Sequence, residues 1–281
     1  MSSLQIRGLT RRFGGLVALD HVDLDVPEGT IVSIIGPNGS GKTTLFNCIS
    51  GLYRPDSGQV VLERAGVRTD LVGLSPDQIC RSGVSRTFQT IRLFAQMTVL
   101  ENVLVGMHAQ TSASVVASVL QRASFRVEEA EARDRAMRLL QLFGDHLEPR
   151  AGAFANSLSY ANKRRLEIVR ALATGASVLL LDEPAAGMNP SETEELMQDI
   201  VRIRDDGRTV LLIEHDMVVI SRISDRVVAL ENGSKIAEGS FEEVRSSPRV
   251  IEAYLGRGAA GRAGDSRPVA GASEPEPRGA V

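Results

Sequence analysis

The sequence is short of cysteine, of charge of one sign and of long apolar runs, and each shortage removes a class of protein. Its only two cysteines, Cys48 and Cys80, stand outside any CxxC or Cys/His cluster of metal-ligand spacing, so a reduced, cytosolic setting is expected. Lys plus Arg number 32 against 35 Asp plus Glu, a formal net charge of -3, which leaves no broad basic field for nucleic acid. Met1 to Phe13 carries polar or charged residues every few positions, where a secretory signal needs continuous apolar sequence. The longest apolar runs, such as Val178 to Leu181, are far too short to cross a bilayer, so a membrane role must pass through a partner. What is present suffices for a core: 43% of the 281 residues are hydrophobic, enough for one large or two small domains. Of the histidines, His21, His108 and His146 read as ordinary packing or surface residues. His215 stands in a different context.

Strand signals alternate with helix signals along the chain. Ile31 to Ile35 is a short β-branched run leading into a Gly-rich loop, and Leu45, Phe46 and Ile49 then recur at helical spacing up to Gly51. Val178 to Leu181 reads as a buried strand followed by Asp182-Glu183-Pro184 and by a helix opening at Ser191, with Glu194 placed to close a capping box, and running to about Gly207. A third run, Thr209 to Ile213, ends in Glu214-His215-Asp216. This alternation predicts a parallel sheet covered on both faces, with functional residues at the strands' C-terminal ends.

Two stretches depart from it. Gln5 to Val26 with Val60 to Leu62 reads as a small antiparallel β layer, and residues 92–157, helical in period over Glu128 to Phe143, read as a helical insertion. Near the end, Arg226 to Leu230 and Ser234 to Glu238 flank Asn232-Gly233, a tight hairpin signal. The ordered domain is expected to span residues 1–256. Residues 257–281, rich in Gly, Ala, Arg, Pro and Glu, read as a disordered tail.

The pattern G-x-x-x-x-G-K-[ST] is met by Gly36, Gly41, Lys42 and Thr43, between a predicted strand and a predicted helix. The cradle Gly36, Pro37, Asn38, Gly39, Ser40, Gly41, Lys42, Thr43, Thr44 lets successive backbone N–H groups curl round the phosphates of ATP. Lys42 then neutralises β/γ oxygens, and Thr43 offers a hydroxyl to Mg²⁺. Asp182, ending an apolar strand, reads as the second carboxylate on the magnesium side. Glu183 beside it is placed as general base on the attacking water.

This set resembles the ATP-binding subunit of ABC transporters over nearly the whole ordered chain. The resemblance implies an α/β fold: a P-loop NTPase parallel sheet core, a small antiparallel β layer and an inserted helical subdomain. Arg86-Thr87-Phe88-Gln89 looks like the family's Q-loop, which implies that Gln89 senses the metal and the lytic water. Glu214-His215-Asp216 looks like its H-loop, which implies that His215 holds the γ-phosphate. Phe13 lies in the A-loop position, where an aromatic ring stacks on adenine; without the resemblance it reads as a core residue of the β layer.

The family's signature loop, normally Leu-Ser-Gly-Gly-Gln, reads Leu158-Ser159-Tyr160-Ala161-Asn162 here. Ser159 is retained at a helix N-cap, where its hydroxyl and the helix's N–H groups offer an anion site to the nucleotide of a second subunit. A Cβ at Ala161 restricts the backbone relative to glycine. The expectation is a weakened signature loop on this chain and a better matched one on a partner.

Leu158-Ser159-Tyr160, Arg164-Arg165-Leu166-Glu167, Pro184 to Pro190, Ile213 to Met217, Arg92-Leu93-Phe94, Met97 to Asn102 and Ala253-Tyr254-Leu255-Gly256 together resemble the branched-chain amino acid import branch. Asn189, where most members have Asp in the D-loop, fits that branch. The resemblance implies a motor on the cytoplasmic face of the inner membrane, with a second ATPase subunit, two permease subunits and a periplasmic binding protein. Residues 89–101 would receive a short permease helix, although Leu93, Phe94, Met97 and Leu100 also suit internal packing. The alternatives are the ATPase of a lipopolysaccharide-type exporter, a soluble non-transport ABC ATPase, and a catalytically weak regulatory subunit.

Overall fold

The computed structural model describes residues 2–107 and 122–255. The readings made for His108 and for the tail lie outside the described residues. Strands β1 (Ser2–Phe13), β2 (Leu16–Val26), β4 (Ser57–Arg64) and β5 (Val67–Asp70) form an antiparallel sheet in the order β2-β1-β4-β5. From Val22 to Val26 every second residue of β2 is buried, the period of a strand with one face on the core. A second sheet runs β10-β9-β3-β8-β7-β6, from β3 (Ile31–Ile35), β6 (Val84–Arg86), β7 (Val178–Asp182), β8 (Thr209–Ile213), β9 (Arg226–Glu231) and β10 (Ser234–Gly239). All its neighbours are parallel except the terminal β9–β10 hairpin, which turns at Asn232-Gly233 with Glu231 opposite Ser234.

Strands β3, β7 and β8 are buried at every position, which is why they read as apolar runs, interrupted only by Ser33, Asp182 and Thr209. Alternation still operates in three dimensions. Leu179, Leu181, Val210 and Leu212 enter the core beneath the helical layer. Val178, Leu180, Leu211 and Ile213 enter the core shared with the antiparallel sheet and with α1 (Lys42–Ile49).

The helical layer holds α3 (Val99–Met107), α4 (Arg122–Gln141), three short 3₁₀ turns and α5 (Tyr160–Ala173). Its buried Val99, Val103, Leu140 and Phe143 belong to one cluster with Leu166, Val169 and the strand residues Leu179 and Leu181. Helix α2 (Pro76–Ser82) precedes β6. The helix after β7, α6 (Pro190–Asp205), opens one residue before the expected Ser191, with Asn189 as N-cap. Asn189 Oδ1 accepts from the N–H of Glu192 at 3.0 Å, and Glu192 Oε2 accepts from the N–H of Asn189 at 3.1 Å, so the box is Asn189–Glu192 and not Ser191–Glu194. Pro190 decides this, because its fixed φ and missing N–H suit the first helical position. After β8 comes α7 (Met217–Ile223), and α8 (Phe241–Ser246) and α9 (Pro248–Leu255) follow β10.

Candidate active site

The register of the parallel sheet brings the site together. Ile34 pairs with Ile213 and Ile213 with Asp182, so β3, β8 and β7 end level with one another. The loops leaving those ends carry Gly36 to Thr43, His215 and Glu183. On the far side of β7, Arg86 of β6 pairs with Leu180, and Gln89 follows three residues later.

In the Gly-rich loop Asn38, Gly39 and Thr43 are exposed, Pro37 and Thr44 are half-buried, and Ser40 and Lys42 are buried. Gly41 caps α1 at φ 105°, a conformation side chains disfavour, and a Cβ there would lie 2.6 Å from the carbonyl oxygen of Ala18. No side chain caps α1 and no acid occupies its first turn, so its N-terminal N–H groups are left for an anion. Lys42 Nζ donates to the carbonyls of Gly36 at 2.7 Å and Pro37 at 3.0 Å. Burial pulls the Lys42 ammonium below its usual range, with Glu183 and Asp182 opposing the shift.

Glu183 is the hub. His215 Nε2 lies 2.6 Å from Glu183 Oε1, and Gln89 Nε2 donates to Glu183 Oε2 at 3.2 Å. A carboxylate only accepts, so His215 presents its Nε2–H. Glu183 also holds φ at 47°, a left-handed conformation that costs a residue with a Cβ about 1 kcal/mol or more. Its N–H donates to the Ile213 carbonyl at 2.9 Å, which fixes the turn directly after β7.

Sequence reasoning missed three supports of this hub. Arg86 donates to Asp182 Oδ2 at 2.8 Å, to Asn47 Oδ1 at 2.6 Å and to Ser50 Oγ at 3.2 Å, and both charged side chains are nearly inaccessible. The buried Glu214 accepts from the N–H of Ala185 at 3.0 Å and of His215 at 3.1 Å, tying the loop after Glu183 to the loop after β8. Burial pushes its carboxyl above the usual range. Arg164 of α5, fully buried, donates to the carbonyls of Phe88 at 2.6 Å and Gln89 at 2.8 Å and to Glu167 at 2.8 Å. All three stood in quoted motifs; the Arg164–Glu167 pair, three residues apart on one helix, was a local signal, whereas the bonds from Arg86 to Asp182, from Ala185 to Glu214 and from Arg164 to Phe88 and Gln89 join distant parts of the chain.

Ser159 and Phe13 join none of these bonds. Ser159 caps α5, and its Oγ accepts from the N–H of Asn162 at 3.3 Å. Phe13 is 39% exposed, which removes the core reading; it meets Tyr53 edge-on at 5.2 Å, and Arg11 lies 4.6 Å over its ring. Ala161, whose Cβ carried the expectation of a weakened loop, is helical and buried. Tyr160 is the exposed residue there, and its hydroxyl donates to the Ala186 carbonyl at 3.0 Å. Of the four apolar residues set between groove and packing, Leu100 is buried and Leu93 packs on the core, while Phe94 and Met97 are exposed together with Phe154.

Thr43, Asp182 and Gln89 offer hard oxygen donors. Among the described residues no group of three or more His, Cys, Asp or Glu is arranged to hold a metal alone. Such a set fits Mg²⁺ that draws most of its oxygens from nucleotide and water. Cys48, buried on α1 with its thiol pushed up to about 11, is an inert core residue.

Comparison with known proteins places this geometry. The family described as ABC transporter matches residues 19–186, and the family described as Branched-chain amino acid ATP-binding cassette transporter matches residues 234–260. The chain is 47% identical over 254 residues to the high-affinity branched-chain amino acid transport ATP-binding protein LivG of Salmonella typhimurium, covering 90% of this chain and 97% of that one. It is 44% identical to BraF of Pseudomonas aeruginosa, a protein of the same description, with the same coverage. Among solved structures, the ADP conformation of an ATP-binding cassette of an ABC transporter superposes with a TM-score of 0.77 at 32% identity, covering 92% of this chain and all of that one.

Proposed function

The chain belongs to the ABC transporter family of ATP-binding subunits, and from that premise we propose that it is the ATP-hydrolysing motor of a branched-chain amino acid importer. Glu183, held between His215 and Gln89 at the ends of the parallel strands, is the observation that carries the chemistry. The names of LivG and BraF and the separate match over residues 234–260 support the cargo class.

In this arrangement Glu183 is the general base, and both its oxygens are engaged. Each oxygen keeps a further lone pair, so the attacking water can be accepted beside either partner. His215 turning to the γ-phosphate, or Gln89 turning to the water, leaves that oxygen wholly to the water when the nucleotide is in place. Lys42 and the N–H groups of α1 hold the phosphates, Phe13 offers a face to adenine, and Ser159 offers its hydroxyl and helix N-terminus to the nucleotide of a second ATPase subunit. Thr43, Asp182 and Gln89 would hold Mg²⁺, which when bound neutralises charge on the β- and γ-phosphates.

No helix of the described residues is long and apolar enough to cross a membrane. The likeness to LivG and BraF supports a motor that works peripherally, at the cytoplasmic face of two permease subunits fed by a solute-binding protein. The exposed Phe94, Met97 and Phe154, next to the segment that Arg164 ties to Gln89, form the surface offered to a permease helix.

Replacing Glu183 by Gln tests the assignment. ATP binding should survive while phosphate release falls about 10²- to 10⁴-fold, the usual worth of a general base. Equal rates for wild type and variant would refute it.

A further inference from the structure

The C-terminal helix α9 contributes a residue that nothing so far has used. The N–H of Gly36, the first residue of the phosphate cradle, donates to the hydroxyl oxygen of Tyr254 at 2.8 Å, across 218 residues of sequence. Gly36 lies just beyond Ile35, whose pairing with Ala229 is the last register pair between β3 and β9. It is buried against the Leu230 carbonyl, with so little clearance that a Cβ there would collide with that oxygen and stand 2.6 Å from Ser40 Oγ. Tyr254 is the acceptor this N–H has, and a buried N–H without an acceptor is costly.

Packing alone does not explain the contact. Val250 of α9 and Val244 of α8 share a small core with Ile35. Beside them lies an apolar hollow of about 270 Å³, lined by Ile35, Met217, Val250 and Tyr254 among others, so packing does not fill this side of the helix. The Tyr254 ring is 41% exposed while its hydroxyl reaches the buried Gly36. The hydroxyl is the specific tie. The same hollow touches Met217, two residues after His215, so α9 adjoins both the start of the cradle and the loop that carries the γ-phosphate ligand.

We propose that Tyr254 is a positioning residue of the nucleotide site: its hydroxyl holds the Gly36 peptide, and so the entry of the cradle, in the conformation that receives phosphate. The inference rests on the reading of residues 36–44 as the ATP cradle. It makes α9, which lies inside the separately matched segment 234–260, a working part of the nucleotide site.

The test is equilibrium binding of Mg-ATP and ADP to the purified full-length chain, with ATP hydrolysis and thermal unfolding in parallel, for wild type, Tyr254→Phe, Tyr254→Leu and Lys42→Ala. Tyr254→Phe keeps the ring and should weaken nucleotide binding about five- to tenfold, the loss expected when a buried amide loses its acceptor. The KM for ATP should rise by the same factor with kcat unchanged, and the unfolding midpoint should stay within about 2 °C. Binding by Tyr254→Phe equal to wild type overturns the proposal. So does a loss of affinity that appears in both variants only alongside an equal fall in midpoint, since the role is then structural. Failure of wild type to bind, or binding that survives Lys42→Ala, overturns the reading of the cradle itself and this inference with it.

Discussion

Arg86 shows how much a single residue can contribute without touching a ligand. Its guanidinium meets Asp182, Asn47 and Ser50 in a nearly dry pocket between β6, β7 and α1. Arg86 holds the Asp182 carboxylate in place at the end of β7. Removing one partner of a buried pair leaves the other desolvated, a loss of about 3–5 kcal/mol. Arg86→Met should therefore lower the unfolding midpoint by roughly 10 °C for a chain of this size. Restoring much of that loss in an Arg86→Met, Asp182→Asn double variant would assign it to the pair; no recovery would assign it to lost packing over Phe46 and Phe88, which lie 5.5 Å and 5.4 Å from the Arg86 guanidinium.

Among the elements, α5 is the most informative, because it carries the signature loop at one end and a buried charge network along its side. Arg164 fixes the backbone of Phe88 and Gln89, and Arg165 pairs with Asp199 of α6 at 2.7 Å with both side chains buried. The Q-loop, the signature helix and the helix after Glu183 are thereby held in register. Where the sequence departs from the family pattern, the helix has absorbed the change: Ala161 is helical and buried. Ala161→Gly should thus leave the ATPase rate of the assembled pair of subunits unchanged. It should cost the helix up to about 1 kcal/mol, seen as a slightly lower unfolding midpoint. A severalfold rise in rate would reinstate the idea of an impaired loop. The α6 boundary carries a similar lesson, since Ser191 and Glu194 matched the capping pattern but Pro190 moved the start to Asn189.

At the scale of the molecule, three buried carboxyls, Glu167, Asp199 and Glu214, are pushed above their ordinary values by burial, against the pull of Arg164 on Glu167 and Arg165 on Asp199. A carboxyl raised in the folded state holds its proton more tightly there than in the unfolded chain. Its contribution is fully present below the unfolded value and is lost as pH rises through the folded one. Glu214→Gln removes one such group. The midpoint of wild type minus that of the variant should therefore shrink as pH rises from the ordinary value of 4.5. Paired unfolding curves across that window check it, and a difference independent of pH would mean that Glu214 does not titrate with folding.

The sequence by itself determined the sheet, the cradle and the family. Apolar runs of strand length, glycines at loop positions and the order of Lys42, Asp182, Glu183 and His215 are local signals, each written within a few residues. Tertiary structure alone decided what those residues touch. Whether Glu183 meets His215 and Gln89, whether Asp182 is met by Arg86, that Ala161 is buried and that Tyr254 reaches Gly36 all depend on strand register and on helices packed from distant parts of the chain. Hydrogen bonds act over about 3 Å between groups up to 218 residues apart, and no local pattern of residue types encodes that distance.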